Sequence, residues 1–185
     1  LDKKIKEKKM DTTEMLNLEI VEKELIVPNK SGFYHDALRT WFDHFDLSGK
    51  GLLIGDKEEV KPVLKSKYPN VTEILNVNLT SNSDINWDIT TPYYGTDLEV
   101  NWIICQATLE HVVDPVSSMR NLSEVLAKDG LLFLHVPAFG YGYHAFPIDC
   151  YRFSRDTLIA FEDLAGLTLL DSLCDKDRVM AAYKK

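Results

Sequence analysis

The sequence predicts an α/β protein built on a doubly wound, mostly parallel seven-stranded sheet with a terminal antiparallel strand. Three observations carry this. Short apolar runs alternate with amphipathic helical stretches from residue 51 onward. Several runs, above all LLFLHVP (131–137), are apolar throughout, as strands covered on both faces are. The last two runs, LTLLDSL (167–173) and RVMAAYK (178–184), follow one another without a helix, so they pair antiparallel.

The elements follow in order. Residues 1–30 are expected to be an N-terminal extension, partly disordered or foreign to the natural chain, with Met10 as a natural start; residues 31–185 form the domain. No secretory leader is read in the Lys-rich opening. Leu38, Trp41, Phe42 and Phe45 fall at helical spacing, with Asp36 near the start and Gly49 past the end. GLLIG (51–55) is a buried strand ending in glycine. Residues 60–68 form a helix with Val60, Val63 and Leu64 on one face and Pro62 in the first turn, where a missing N–H is tolerated. TEILNVNL (72–79), INWDI (85–89) and VNWIICQ (100–106) read as the next three strands. Asp114-Pro115 starts a helix carrying Val116, Met119, Leu122, Val125 and Leu126, with Gly130 as the residue that ends it. After the 131–137 strand comes a long loop, and then Ser154 caps a helix bearing Leu158, Phe161, Leu164 and Ala165, closed by Gly166.

The 185 residues carry a net charge of −8, and the first ten contribute +3, which leaves −11 on the remainder. An acidic body is a poor partner for nucleic acid or anionic lipid. No apolar stretch is long enough to span a bilayer. The three cysteines, Cys105, Cys150 and Cys174, are sparse and odd in number, which fits a reducing cytoplasm. They form no C-x-x-C pair, and no metal site is expected. The chain lacks G-x-G-x-x-G after its first strand, a P-loop and a G-x-S-x-G elbow, which argues against dinucleotide dehydrogenases, P-loop enzymes and serine hydrolases.

In such sheets ligands bind beyond the carboxyl ends of the strands. That prior directs attention to Gly55–Glu59, Asn76–Asn78, Trp87–Ile89, Cys105–His111 and Pro137–Arg152. Cys105-Gln106, Leu109-Glu110-His111-Val112, Asp114-Pro115, Leu126 to Gly130 and Leu131 to Pro137 together resemble the strand-four to strand-five region of class I S-adenosylmethionine-dependent methyltransferases. His144, Pro147, Asp149 and Tyr151-Arg152-Phe153 resemble a segment of small-molecule members of that family. The resemblance implies a Rossmann-like methyltransferase fold, S-adenosylmethionine as cofactor and a small-molecule acceptor. It implies cofactor contacts at Gly55, Asp56, Lys57, Asn78, Trp87, Asp88, Ile89 and Gln106. It implies acceptor contacts at Glu110, Tyr143, Tyr151 and Arg152. His111 and His144 become general-base candidates, with Asp149 as an orienting carboxylate.

The sequence also departs from the family. Its Gly-rich loop is reduced to Gly55-Asp56-Lys57-Glu58-Glu59, with Lys57 and Glu59 where the family keeps small residues. Asn76 or Asn78 stands where an acid normally receives the ribose hydroxyls. A catalytically inactive binding or partner subunit of the same fold is therefore the alternative reading, with a homo-oligomer or partner protein open in either case. Structural roles compete at single residues. Asp88 could be a turn residue, Gly55 a strand-ending turn, and Glu110 and His111 loop supports. His135 reads as a core histidine and Cys105 as a small buried residue. Phe139, Tyr141, Tyr143, Phe146 and Tyr151 form either a lid, a packed surface loop or a subunit contact.

Overall fold

The computed structural model describes residues 44–56, 58–80, 82–145 and 147–185. The expected extension, most of the 38–45 helix, Lys57 and Phe146 lie outside the described residues. The order of elements is β1 (Gly49–Ile54), α1 (Val60–Lys67), β2 (Val71–Asn78), β3 (Ile85–Asn86), β4 (Val100–Gln106), a 3₁₀ turn (Leu109–His111), α2 (Pro115–Val125), β5 (Leu126–Pro137), α3 (Arg155–Ala165), β6 (Thr168–Cys174) and β7 (Arg178–Lys184). The seven strands form one sheet in the order β3-β2-β1-β4-β5-β7-β6. Strands β1 to β5 pair in parallel, and β7 is antiparallel to both its neighbours. The antiparallel strand, last in sequence, thus lies inside the sheet, and β6 forms that edge.

Alternation along the strands separates two cores. Leu52, Ile54, Val77, Ile103, Cys105, Leu132 and Leu134 point to one face, where α2 and α3 cover them with Met119, Leu122, Leu158 and Phe161. Leu53, Ile74, Trp102, Ile104, Phe133 and Met180 point to the other, with Val60 and Leu64 of α1 packed against them. Phe45 meets Phe133 edge-on on that face, at 5.0 Å between ring centroids. Both faces of β4 and β5 are therefore dry, which is why their sequences show no polar alternation.

The helix ends obey their local chemistry. Asp114 accepts the Ser117 backbone N–H, with Pro115 at the first helical position. Ser154 and Thr157 form a reciprocal capping box, and Gly166 closes α3 at φ +65°.

Two expectations fail. The helix after Asp114 stops at Val125, one residue before the expected Leu126, and Gly130 does not cap it. Instead Leu126 is buried opposite Val100 in the sheet, and Asp129 takes a left-handed conformation at φ +64° within an irregular stretch of β5. Lys185 receives the Asp129 N–H and donates its own N–H to Gly130, so the far end of the chain draws this segment into the sheet. The strand expected over 85–89 shrinks to Ile85–Asn86. Beyond it, Asp88 Oδ1 accepts from the N–H and hydroxyl of Thr90, which turns the chain out of the sheet. No helix among the described residues is long and apolar enough to cross a membrane.

Candidate functional site

The strand order reverses between β1 and β4, and the loops beyond their carboxyl ends meet there. Gly55 leaves β1 at φ +75°. A Cβ on it would stand 2.5 Å from Thr108 Oγ1, which itself reaches the carbonyl oxygens of Ile54 (3.1 Å) and Gln106 (2.9 Å). Ala107 beside it adopts φ +46°, an uncommon conformation for a residue with a side chain. The ends of β1 and β4 thus lock together through one glycine, one hydroxyl and one strained turn.

Next to Gly55, burial pushes the Asp56 carboxyl up from its ordinary 3.8 to about 6. Asp56 lines a hollow of about 380 Å³ with Glu58, Glu59, Asn76, Asn78 and Ser83. Asn76 is buried; its Nδ2 donates to Glu58 Oε1 (2.9 Å), and its Oδ1 has no hydrogen-bond partner among the described residues. Lys61 pairs with Glu58 (2.8 Å) and with Asp84, and Asp84 also accepts the Asn76 backbone N–H (2.7 Å). The Asn78 side chain accepts from the N–H of Leu79.

Trp87, Asp88 and Ile89, also expected to meet the cofactor, sit differently. Trp87 and Ile89 are core residues; Trp87 Nε1 donates to the Thr91 carbonyl, and its ring meets Tyr93 edge-on. Asp88 makes its turn with Thr90 and lines a separate hollow of about 450 Å³ with Trp87, Tyr93 and Tyr94.

A second cluster forms where the 3₁₀ turn meets the loop after β5. Glu110 is fully buried, and neither carboxylate oxygen has a hydrogen-bond partner among the described residues. Burial raises its pKa, opposed first by the pull of its own backbone N–H and then by the charges of His111, His144 and Arg178. His144 Nε2 lies 3.6 Å and His111 Nε2 3.8 Å from the same Glu110 oxygen. The two imidazoles meet edge-on, 4.9 Å between centroids. His111 Nδ1 sits 2.5 Å from the Ile148 carbonyl, so that nitrogen carries the proton and donates. His144 Nδ1 lies 3.4 Å from Asp149, which also accepts the His144 backbone N–H.

Arg152 clamps Asp149 through two parallel hydrogen bonds of 2.5 and 2.6 Å and donates to the Tyr141 and Gly142 carbonyls. That guanidinium holds the Asp149 carboxyl well below the usual carboxylate range. Cys150 N–H donates to the Glu110 carbonyl, so the loop is tied to the turn by backbone as well.

The sequence-derived set therefore divides. Glu110, His111, His144, Asp149 and Arg152 converge on one cluster. Asp56 and Asn78 meet at the β1–β2 hollow, Gly55 packs against Thr108, and Gln106 ends β4 opposite His135. Tyr151 bonds the Val113 carbonyl and packs on Phe153, and Tyr143 is 79% exposed and outside the cluster. Residues that sequence reasoning gave no site role include Thr108, Asp84, Lys61 and Arg178. Arg178 stacks on Tyr141 at 3.3 Å to the centroid, and Tyr141 meets His144 edge-on. Nothing local in a strand-opening arginine signals that contact. His135 is the buried core histidine expected, its pKa lowered to about 3 by desolvation, so it is neutral. Cys105 is the small buried residue expected, and burial raises its thiol far above neutrality.

The chain has the fold of class I S-adenosylmethionine-dependent methyltransferases. An S-adenosylmethionine-dependent methyltransferase from Mesorhizobium loti superposes with a TM-score of 0.63 at 9% identity, over 81% of this chain and 96% of that one. The N-methyltransferase NodS from Bradyrhizobium japonicum, in complex with S-adenosyl-L-homocysteine, gives 0.54 at 18% identity, over 82% and 85%. The [4+2]-cyclase SpnF gives 0.63 at 11% identity, over 87% and 85%. No protein-family model and no curated protein matches the chain by sequence.

Proposed function

We propose that this protein is an S-adenosylmethionine-dependent methyltransferase acting on a small-molecule acceptor. The observation that carries the reading is the pair of clusters at the strand ends. A polar hollow carries a buried, open acceptor at Asn76, and beside the β4 end stands a His–His–Glu cluster.

The residues present fit the cofactor. Gly55 keeps the backbone bare where a Cβ would strike Thr108. Asn76 Oδ1 can accept from a ribose hydroxyl, and Glu58, held by Asn76 and Lys61, offers the carboxylate that the end of β2 lacks. Asp56 supplies a negative charge suited to a cationic ligand. Bound there, S-adenosylmethionine would supply a methyl group activated on a sulfonium.

The chain's own contribution is positioning and proton handling. His111 and His144 keep Nδ1 engaged, which leaves each Nε2 lone pair to take a proton from an acceptor. Asp149, fixed by Arg152, holds His144 in place. Phe139 and Tyr143, exposed on the same loop, are placed to close over an acceptor or to meet a second copy of the chain. The free cysteines accord with a reducing, cytoplasmic setting.

The inactive reading draws on the same hollow. Glu58 and Glu59 line it and would repel the cofactor's carboxylate. Calorimetric titration with S-adenosylmethionine and S-adenosylhomocysteine separates the two. Micromolar binding is expected, and silence at millimolar ligand would leave a partner subunit. His144→Ala should lower turnover with little change in cofactor affinity, and unchanged turnover would remove it as the base.

A further inference from the structure

We propose that Glu110, His111 and His144 bind a divalent transition-metal ion of the zinc type. The sequence gives little hint of it, because Glu110 and His111 are adjacent and His144 is 33 positions further on, across β5.

Three observations converge. First, Glu110 is fully buried with both oxygens unbonded among the described residues. A buried carboxylate demands a compensating partner. Neither histidine provides a hydrogen bond, because 3.6 and 3.8 Å are too long for one. Second, one donor atom from each of the three residues lies within 4.8 Å of the others. Bonds of ~2.0–2.2 Å to nitrogen and oxygen would separate tetrahedral ligands by roughly 3.4 Å. Both Glu110–His distances are already near that figure, so modest side-chain adjustment brings the set around one ion. Third, the imidazoles are preset. His111 Nδ1 faces the Ile148 carbonyl and His144 Nδ1 faces Asp149. That arrangement aims the Nε2 lone pairs at Glu110, as outer partners of metal-bound histidines do.

The donor chemistry selects the ion. Two imidazoles and one carboxylate suit Zn²⁺ and its neighbours, whereas Mg²⁺ and Ca²⁺ seek oxygen alone. Asp149 is spent on Arg152, so it orients and does not ligate. Arg178 adds positive charge near Glu110, which weakens the site relative to an isolated triad. His111 and His144 side chains are 16% and 33% exposed, so an ion can reach them. Three protein ligands leave a coordination position open, the mark of a reactive rather than a structural site. Under the methyl-transfer reading, on which this clause alone rests, that position takes an ionisable oxygen of the acceptor, and the ion then takes over from the two imidazoles, whose Nε2 atoms it occupies, in favouring loss of the acceptor's proton.

The test is calorimetric titration of the chelator-treated full chain with Zn²⁺, without S-adenosylmethionine, alongside the visible spectrum of the Co²⁺ form. Binding of one ion at micromolar or tighter affinity is expected, with the intense absorption of a tetrahedral centre. His144→Ala, on a partly exposed loop, should weaken binding at least tenfold, and Asp149→Asn by about 10–100-fold. Glu110→Gln should do the same if it folds, as circular dichroism would report. No binding at millimolar Zn²⁺ overturns the proposal, and so does binding that His144→Ala and His111→Ala leave unchanged. Because no cofactor is present, either result stands apart from the fate of the methyltransferase reading.

Discussion

Replacing Asp56 by Asn should stabilise the protein at neutral pH. The carboxyl beside Gly55 is raised from 3.8 to about 6 by burial alone. At ~1.4 kcal/mol per pH unit, ionising it in the folded chain costs about 3 kcal/mol relative to the unfolded chain. The sign follows from the order of titration. As pH rises, the unfolded chain releases this proton first, so the native state loses relative stability between about pH 4 and pH 6 and carries the full cost above that. Asn has no proton to lose. Urea unfolding of both proteins from pH 4 to 7.5 isolates the effect, because the other carboxylates cancel in the difference. The two should nearly coincide at pH 4. By pH 7 the variant's midpoint should stand about 1–3 M higher, for a slope of ~1–3 kcal/mol per M. A difference that does not change with pH, or a variant less stable at pH 7.5, would refute the argument. Under the methyl-transfer reading, the same substitution should also weaken S-adenosylmethionine binding above pH 6, where the wild-type carboxylate is charged.

Two further substitutions test the frame around the site. Gly55→Ala places a Cβ 2.5 Å from Thr108 Oγ1 at φ +75°. It should cost ~1–3 kcal/mol in urea unfolding, and adding Thr108→Ala should recover part of that loss; no recovery would move the fault to the backbone alone. Ser154→Ala removes one half of the α3 capping box. It should cost ~1 kcal/mol and lower the melting temperature by about 2–4 °C, and an unchanged transition would show the cap to be idle.

What could be read from the sequence was what is decided locally. Ser154, Gly166 and the Asp114-Pro115 pair announce helix ends through their own hydrogen bonds and dihedrals, and the structure places those ends there. LLFLHVP is dry on both faces, so its composition alone reveals a central strand. Leu126 and Gly130 depart from the expected helix end because their fate depends on Lys185, more than fifty residues away. The insertion of β7 between β5 and β6 is likewise a long-range choice that no window of sequence contains. At the site, resemblance rather than spacing brought Glu110, His144 and Asp149 together. It could not indicate that Glu110 would be fully buried with open oxygens, because that depends on the packing of the 138–152 loop against the 3₁₀ turn.

The fold does not choose the reaction, since a [4+2]-cyclase shares it. The choice must therefore lie in side chains carried by the loops, and here one short segment governs two of them. Thr108 braces Gly55 at the end of β1, Ala107 holds the strained turn, and Glu110, two residues beyond Thr108, faces both histidines. A disturbance at residues 107–108 should reach both clusters, whereas one at Asn76 or at His144 should reach only its own. Cofactor affinity and metal affinity measured across such variants would then fall together for the turn and separately elsewhere. That pattern would show that one strained turn sets the geometry of both clusters, so that neither can be re-aimed without the other.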